Sequence, residues 1–495
     1  MPRYKIAIIG GGISGLAAAY HLKHARHEFK IFEAAHNVGG NVRTLPLDVG
    51  GTSRWVDLGV NDFNKNSYTN LMRVFTQLGV EYAPLEDTIS YSNIGPTGEL
   101  EKPLIGFTMD GRWGPKPPEG VVRGTNMFGD AIKKFISEPP PGSRYWTVGE
   151  FVKWAQFPQD FIRLSLYPRI NAMYFAGNIK PSEMPARQVA HYYFLQEGYG
   201  TRTKAERQYW VGGATKWIDK LAAYLQKDLP QVIFKGVKAQ FEITQDRRII
   251  VYTTPAGAPP DTKPQQEIFD KLILAVQART IENTYSRKEQ IPGTVKQVGK
   301  AISYEEDEVV VHLSTANMPP DPNTWRTYNI NIFPDQDKGQ RYNINYWINR
   351  HQNDSKNPSY NCQSSEFREH TYTPQYFLSL NPLNPIPDIC RLKSQPYGNC
   401  TMFKFYHCRL NMDATKAQDY LVPLMMKGID NVYFTGGYTK GAGLHEECWI
   451  SGTEVAKHAL SPSHQDPHQY RMPTDSSDVD EHVSHIAPEY MLDLI

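Results

Sequence analysis

The first hydrophobic run of the chain, 6–9, is short, unbroken and ends on glycine, which is the pattern of a strand buried on both faces of a parallel sheet. A stretch rich in alanine and leucine at 16–22 reads as a helix, and a second apolar run, K-I-F-E-A, carries Glu33 at its end. Between strand and helix stand Gly10, Gly12 and Gly15 in G-x-G-x-x-G spacing, with Ser14 inside the turn. Gly10 suits the tight turn, Gly12 the approach of backbone to a pyrophosphate, and Gly15 close packing of helix on strand. The helix start then offers unpaired N–H groups and a positive dipole end to phosphates. Glu33 lies about twenty residues past the turn, where an acid accepts from a ribose 2′-OH and disfavours a 2′-phosphate. A glycine-rich loop in an unrelated sheet would not need strand, turn, helix, strand and acid in this register. The pattern predicts a dinucleotide-binding βαβ unit.

Further along, 68–78 is an amphipathic helix pattern closed by Gly79, and 90–125 is rich in Gly and Pro, alternates at 104–109 and reads as a hairpin region. Helices are expected at 126–136, ended by Pro139, Pro140 and Pro141, and at 147–155 and 161–175. This block is dense in Tyr, Phe and Met and suits a substrate lid, although any one aromatic at helical spacing is more often core. Tyr209 to Thr215 precede a helix at 216–225, then come a strand at 232–235, a bend at Gly236 and Val237, strands at 239–244 and 247–253, and a buried-strand run at 271–276. Residues 295–400 have β character at 309–313, 328–333 and 342–349, with loops at 317–323 and 352–361, and suit a sheet backing a substrate cavity. An apolar strand at 432–434 runs into Gly436 and Gly437, and a helix begins at about Leu444. The tail after 461 has little periodicity and reads as disordered or loosely docked.

At 495 residues the chain calls for two packed domains. Lys plus Arg number 53 against 52 Asp plus Glu, a net charge of +1, which gives no electrostatic case for nucleic acid or an anionic membrane. No run approaches the roughly 18 apolar residues of a membrane span. The cofactor strand opens the chain, which leaves no room for a cleavable signal peptide. The five cysteines, Cys362, Cys390, Cys400, Cys408 and Cys448, lack C-x-x-C spacing and argue against a zinc site or disulfide framework. A soluble cytoplasmic protein is the expectation.

After Glu33 and Ala34 the chain reads H-N-V-G-G-N-V-R-T, placing Gly39, Gly40, Asn41 and Arg43 for a second approach to the cofactor, and Asp57-Leu58-Gly59 follows. The acid, the G-G-x-x-R segment and a later D-x-G in this order resemble the FAD-binding N-terminus of the flavin amine oxidase superfamily. The C-terminal Y-F-T-G-G … S-G-T-E-V-A element resembles the one that closes the FAD site there. G-x-x-x-G-x-G-x-H-E at 437–446, V-V-V-H-L-S-T at 309–315, Y-W-I-N-R at 346–350 and F-L-S-L-N-P at 377–382 are similar to the amine-oxidase-like proteins found beside fatty-acid-modifying enzymes. The resemblance covers roughly residues 3–460. It implies an α/β, two-domain flavoprotein with a Rossmann-type FAD-binding domain and an α+β substrate domain. FAD-binding segments are expected at 1–88, 206–290 and 401–460, substrate segments at 89–205 (largely helical) and 291–400 (sheet), and a tail at 461–495. It implies Val237 beside the adenine, Gly436 near the ribityl-phosphate, and Leu444 opening a helix aimed at the flavin, whose pyrimidine edge gains negative charge on reduction. Gly10, Gly12, Ser14, Gly15, Glu33, Ala34, Gly40, Asn41, Arg43, Asp57, Gly59, Val237, Gly436 and Leu444 are the cofactor-binding set.

Catalytic candidates are His445 with Glu446 at that helix start, as proton shuttle and orienting carboxylate, against the plainer reading of packing and dipole complement. His312 in an apolar strand is a weaker candidate and more often a core histidine. Lys296 lies where some amine oxidases hold a water near flavin N5, with poorly matching flanks. Cys400 and Cys408 lack a glycine-flanked attachment context, so FAD is expected to be non-covalent. The expected function is an FAD-dependent oxidoreductase taking a hydride from a C–N or C–C bond of a small, mostly apolar substrate, with O2 or another acceptor. The alternatives are a redox-neutral isomerase of an unsaturated, lipid-like acyl chain, and a non-catalytic flavin-binding protein. An amine substrate calls for an aromatic cage; a carboxylate calls for a buried arginine such as Arg163, Arg169 or Arg187.

Overall fold

The computed structural model describes residues 3–49, 52–107, 116–172, 178–339, 343–352, 375–388, 391–392 and 402–461. Its first sheet is parallel, with strands in the order Ile233–Lys235, Glu28–Glu33, Lys5–Ile9, Lys271–Leu274 and Val432–Phe434. Strands far apart in sequence thus build one layer, with the glycine-ended strand at its centre. Ile6, Ala7 and Ile8 are wholly buried there, as an unbroken apolar run requires. Helices Ile13–His24 and His445–Leu460 pack against each other on this layer. An antiparallel sheet of Val237–Ile243, Ile249–Pro255 and Gln265–Phe269 hangs from it. Gln265–Phe269 was not expected from the sequence, because Phe269 is its one buried residue and no apolar run marks it.

The second sheet has seven strands in the order Met402–Cys408, Tyr304–His312, Phe377–Leu380, Ile344–Trp347, Tyr328–Ile332, Ile89–Ile94 and Leu100–Phe107. Pairing is antiparallel except between Tyr328–Ile332 and Ile89–Ile94. Met402–Cys408 pairs along Tyr304–His312, so this strand lies in the substrate-side sheet although the sequence reading placed its segment with the cofactor. Register fixes the faces, since side chains alternate with period two. His407, Phe405, Asp307, Val309, Val311, Leu378, Ile344, Tyr346, Tyr328 and Ile89 share one face. His312, Ser379 and Asn345 share the other.

A helical layer completes the second half. The hairpin Ile89–Ile94 and Leu100–Phe107 occurs, but the region expected to stay hairpin to 125 turns helical at Glu119. Val121, Phe128, Ile132 and Phe135 then recur at helical spacing on the buried side of Glu119–Ser137, behind an N-terminal Pro118. Helix Val148–Ala155 starts at a capping box: Glu150 N–H donates to the Thr147 hydroxyl (3.3 Å), and Thr147 N–H donates to the Glu150 carboxylate (2.7 Å). Phe128, Phe135, Phe151, Phe157 and Phe161 form the core of this layer, so most of its aromatics are packing. Cys362, Cys390, Cys400 and the tail from 462 lie outside the described residues. No helix among the described residues is long and apolar enough to cross a membrane.

Candidate functional site

One cavity of about 680 Å³ runs from the glycine turn to the front of the seven-stranded sheet. At its cofactor end Gly10 has φ +105°, and a Cβ there would collide with the Ala275 carbonyl of the neighbouring strand. Only glycine meets both demands. Gly15 packs against the Gly10 carbonyl, and the second diglycine rests on the first turn, with Gly39 N–H donating to Gly11 O (2.7 Å). At Gly12, which opens helix Ile13–His24, a Cβ would meet nothing nearer than the Gly40 Cα at 3.9 Å, while Gly12 lines the cavity. The helix start is therefore bare towards the cavity, with its first N–H groups available to an anion.

Glu33 accepts from Gly11 N–H (2.7 Å) on one oxygen and Ala35 N–H (2.8 Å) on the other, which fixes its carboxylate beside the turn. Each oxygen keeps further acceptor capacity. Ser14, Ala34, Gly40, Asn41, Gly59, Gly436, Leu444 and His445 line the same cavity. Gly59 allows the Asn41 carbonyl and the Phe405 ring to close in. Arg43 is exposed at the rim, stacked over Phe405 at 5.5 Å. Val237 is half-buried beyond the lining, next to Gly236, whose N–H donates to Ala35 O (2.8 Å).

Four further sequence candidates fall elsewhere. Asp57 is buried behind the turn, where one oxygen accepts from the Thr44 hydroxyl (2.5 Å) and Ala214 N–H (2.9 Å); burial pushes its carboxyl up to about 7. It pins the 212–215 turn to the 44–57 hairpin and does not line the cavity. Glu446 points away from the cavity and caps helix Thr69–Leu78. Its carboxylate accepts from Asn70 N–H (2.7 Å), Asn70 Nδ2 (2.8 Å) and Leu71 N–H (3.0 Å). Burial raises its pKa while these donors pull it down. His312 is on the back of the sheet, sharing a hydrogen bond with Ser379 (2.9 Å), in contact with Phe377, and lowered by burial to about 4. It is a core histidine, and Lys296 is exposed on helix Gly293–Ala301.

His445 does line the cavity, as the first residue of its helix, tilted against Trp217 and Trp210 at ring separations of 5.2 and 5.8 Å. Burial lowers it to about 3, and neither ring nitrogen has a hydrogen-bond partner among the described residues. The ring is neutral near pH 7. Glu447, in place of Glu446, serves the local turn by accepting from Leu444 N–H (3.0 Å).

The far end is a chamber of which the sequence reading named only Arg169. Arg207 pairs with Asp62 and with Glu197 (3.1 Å) and lies 3.6 Å from Asp87. Arg169 pairs with Glu197. Tyr328 donates to Asp62 (2.7 Å), Gln196 donates to Asp62 (2.6 Å), and Tyr68 donates to Gln196 (2.5 Å). Burial alone would raise Asp62, but Arg207, His351 and Tyr328 hold it well below the usual carboxylate range, whereas burial pushes Asp87 up. Arg187 pairs with Asp419 outside the cavity, and Arg163 is exposed. The chamber thus sets three carboxylates against two guanidiniums, walled by Tyr192, Tyr346, Ile330 and Ile344.

Comparison with known proteins agrees with this architecture. The NAD(P)-binding Rossmann-like domain family matches residues 8–78. Zeta-carotene desaturase from Zea mays is 32% identical over 103 residues, 20% of this chain and 17% of that protein. The flavin-dependent L-tryptophan oxidase RebO from Lentzea aerocolonigenes is 38% identical over 55 residues, 11% of this chain and 12% of that protein. The matches span less than a fifth of these curated relatives. Over the whole fold, cyclohexylamine oxidase from Brevibacterium oxydans superposes with a TM-score of 0.58 at 15% identity, covering 93% of this chain and 99% of that one. A fatty acid isomerase from P. acnes superposes with a TM-score of 0.59 at 16% identity, covering 92% and 98%.

Proposed function

We propose that this chain, which has the two-domain fold of the amine oxidase-like flavoproteins, is an FAD-dependent oxidoreductase. The observation that carries the reading is one cavity that joins two contacting glycine turns, a bare helix start and a buried polar chamber. The donor set fits FAD. The turn at 10–14 and its helix would hold the pyrophosphate, Glu33 and Ala34 the adenosine, and the 436–444 loop the ring system. When bound, the flavin supplies a two-electron acceptor for hydride from a C–H bond of the substrate. Cys408 and Cys448 line the cavity, but burial raises both thiols to about 12, so neither of these two is poised as an attaching thiolate, which supports a non-covalent cofactor.

The residues of this chain then bind and orient the substrate. Its reacting carbon belongs beside the 436–444 loop, with its polar end in the Asp62–Arg207 chamber. Both chamber guanidiniums are already matched by carboxylates, which disfavours a carboxylate-bearing substrate and supports hydride removal from a C–N or C–C bond of a small, mostly apolar molecule. His445 supplies a neutral imidazole wall under the site. A long acyl chain, as a redox-neutral isomerase would need, meets this charged end unfavourably.

The test is anaerobic mixing of the yellow holoprotein with panels of amines, apolar alcohols and unsaturated acids while flavin absorbance is followed. Lasting bleaching with one class supports oxidation. Product without net bleaching selects the isomerase, and a protein that binds no FAD after reconstitution refutes the flavoprotein reading.

A further inference from the structure

The loop 436–444, proposed to hold the ring system, contributes Gly436, Tyr438, Ala442 and Leu444 to the cavity wall. Gly436, Gly441 and Gly443 stand in it at positive φ. Glycine loses more conformational freedom on ordering than any other residue, so such a loop needs outside support. Towards the following helix, Thr435 and Thr439 share hydrogen bonds with Ser451 (2.6 and 2.5 Å). From the other side Gln418 reaches it, buried on helix Met412–Tyr420. Its Nε2 donates to Tyr438 O and to Gly441 O (3.1 Å each). A glutamine amide has two N–H donors, and both are used on this loop. Gln418 is itself held from behind. Its oxygen accepts from Gln188 Nε2 (2.7 Å), which lies on helix Ala186–Leu195 and is wholly buried. The neighbouring residues pair in the same register, Arg187 with Asp419 (2.8 Å). Helix Ala186–Leu195 leads into the chamber: Tyr192 lies on it, and Gln196 and Glu197 follow its last turn. From Gln188 to Gln196 is about 12 Å of helix. A hydrogen-bonded line thus runs from the loop at one end of the cavity towards the polar chamber at the other.

We propose that Gln418 is the positioning residue of the 436–444 loop, shaping it for the cofactor ring, and that the Gln188 bond ties it to the helix leading into the chamber. The inference rests on the flavoprotein reading and deepens it. Gln418 does not line the cavity, so it acts through the two loop carbonyls it holds. The glycine turn at 10–14 and Glu33 lie outside this line. The adenosine diphosphate half of the cofactor is therefore bound independently of Gln418, and the ring half is not.

The experiment measures FAD and ADP binding to the full-length apoprotein by calorimetry in wild type, Gln418→Met, Gln418→Glu and Gln188→Met. Gln418→Met removes both donors at similar volume. Gln418→Glu keeps the shape and the acceptor for Gln188 but offers one O–H at most. FAD affinity falls roughly 10–30-fold in Gln418→Met, the effect of two neutral hydrogen bonds, and roughly tenfold in Gln418→Glu. In Gln188→Met it falls about threefold, and ADP affinity stays within about twofold in every variant. Equal losses for FAD and ADP overturn the proposal, because they mark a general loss of structure, and so does unchanged FAD affinity in Gln418→Met. Backbone amide exchange of the apoprotein is the readout without cofactor. Exchange across 436–444 quickens in Gln418→Met while the turn at 10–14 keeps its rate; unchanged exchange in the loop overturns the proposal. If wild type binds neither FAD nor ADP, the flavoprotein reading falls, and amide exchange still judges the tie. If Gln418→Met does not fold, Gln188→Met decides by the same two measurements.

Discussion

Replacing Glu446 separates a capping carboxylate from a catalytic one. Its two oxygens take three N–H donors from the first turn of helix Thr69–Leu78, two of them backbone groups. Leu71 is wholly buried, and Glu446 itself is 1% exposed. Glu446→Ala leaves the Asn70 and Leu71 N–H groups unpaired, at about 1–3 kcal/mol for each buried donor, partly offset by relief of the buried charge. The net loss expected is about 3 kcal/mol. Glu446→Gln keeps one oxygen for Asn70 but turns an NH2 towards Leu71 N–H, so it retains part of the cap and costs about half as much. The assay is urea unfolding with flavin content and turnover per bound flavin measured on the same preparations. Stability should fall in the order wild type, Gln, Ala, with turnover per flavin within a few-fold. A Gln variant of wild-type stability that loses about 10²-fold or more in turnover would show proton transfer at Glu446 and refute the capping argument.

The remaining predictions concern the turn, the helix start and the buried acid. Gly12→Val places a branched side chain where the phosphates belong, so the apoprotein should melt close to wild type while FAD affinity falls at least tenfold; full flavin occupancy in the purified variant would count against the site. His445→Phe fills the space between Trp210 and Trp217 and removes two unpaired nitrogens; turnover per bound flavin should fall by no more than about tenfold, one neutral hydrogen bond's worth. Asp57→Asn keeps the oxygen that Thr44 and Ala214 use and removes the ionisation. Because the folded carboxyl titrates near 7 and the unfolded one near 3.9, wild type loses up to about 4 kcal/mol as pH rises from about 4 to about 7, and the Asn variant does not. Equal unfolding free energies of the two proteins at pH 5 and pH 8 would contradict this.

The cofactor half was legible because its signals are local. Strand, glycine turn and Glu33 lie within one βαβ unit, and Gly10 and Gly15 answer to contacts with neighbours that any such unit brings. The sequence reading and the geometry part where the partner is remote or the face was misjudged. Nothing around Glu446 marks Asn70, 376 residues away, as its partner. Asp57 looked like part of a cofactor motif, yet its oxygen answers to the turn at Ala214. His312 and Asp307 lie on one strand, and period two alone puts them on opposite faces. Asp307 is in phase with Val309 and Val311, and His407 with Phe403 and Phe405. A charged residue on the apolar phase of a strand was a readable signal, and following phase would have chosen the cavity face over its back.

The chamber had no such signal. Asp62, Glu197, Arg207 and Tyr328 come from four separate segments, each an ordinary polar or aromatic position in its own neighbourhood. Their meaning arises only when Arg207–Trp210 pairs with Phe63–Asn64 and an inner strand of the large sheet sets the Tyr328 hydroxyl against Asp62. The physics of the two ends of the cavity differs in the same way. Phosphate binding uses backbone N–H groups and needs only glycine and a helix start, which any sequence with that spacing provides. Substrate binding uses side chains whose charges must balance in a buried space, so one substitution changes the sum. Arg207→Leu would leave Asp62, Asp87 and Glu197 facing one guanidinium, Arg169, and the His351 imidazole, whereas the glycine turn would be untouched. On the proposed function, specificity would reside in the charge balance of the chamber, set by long-range pairing, and the glycine motifs proposed to hold the cofactor are independent of it.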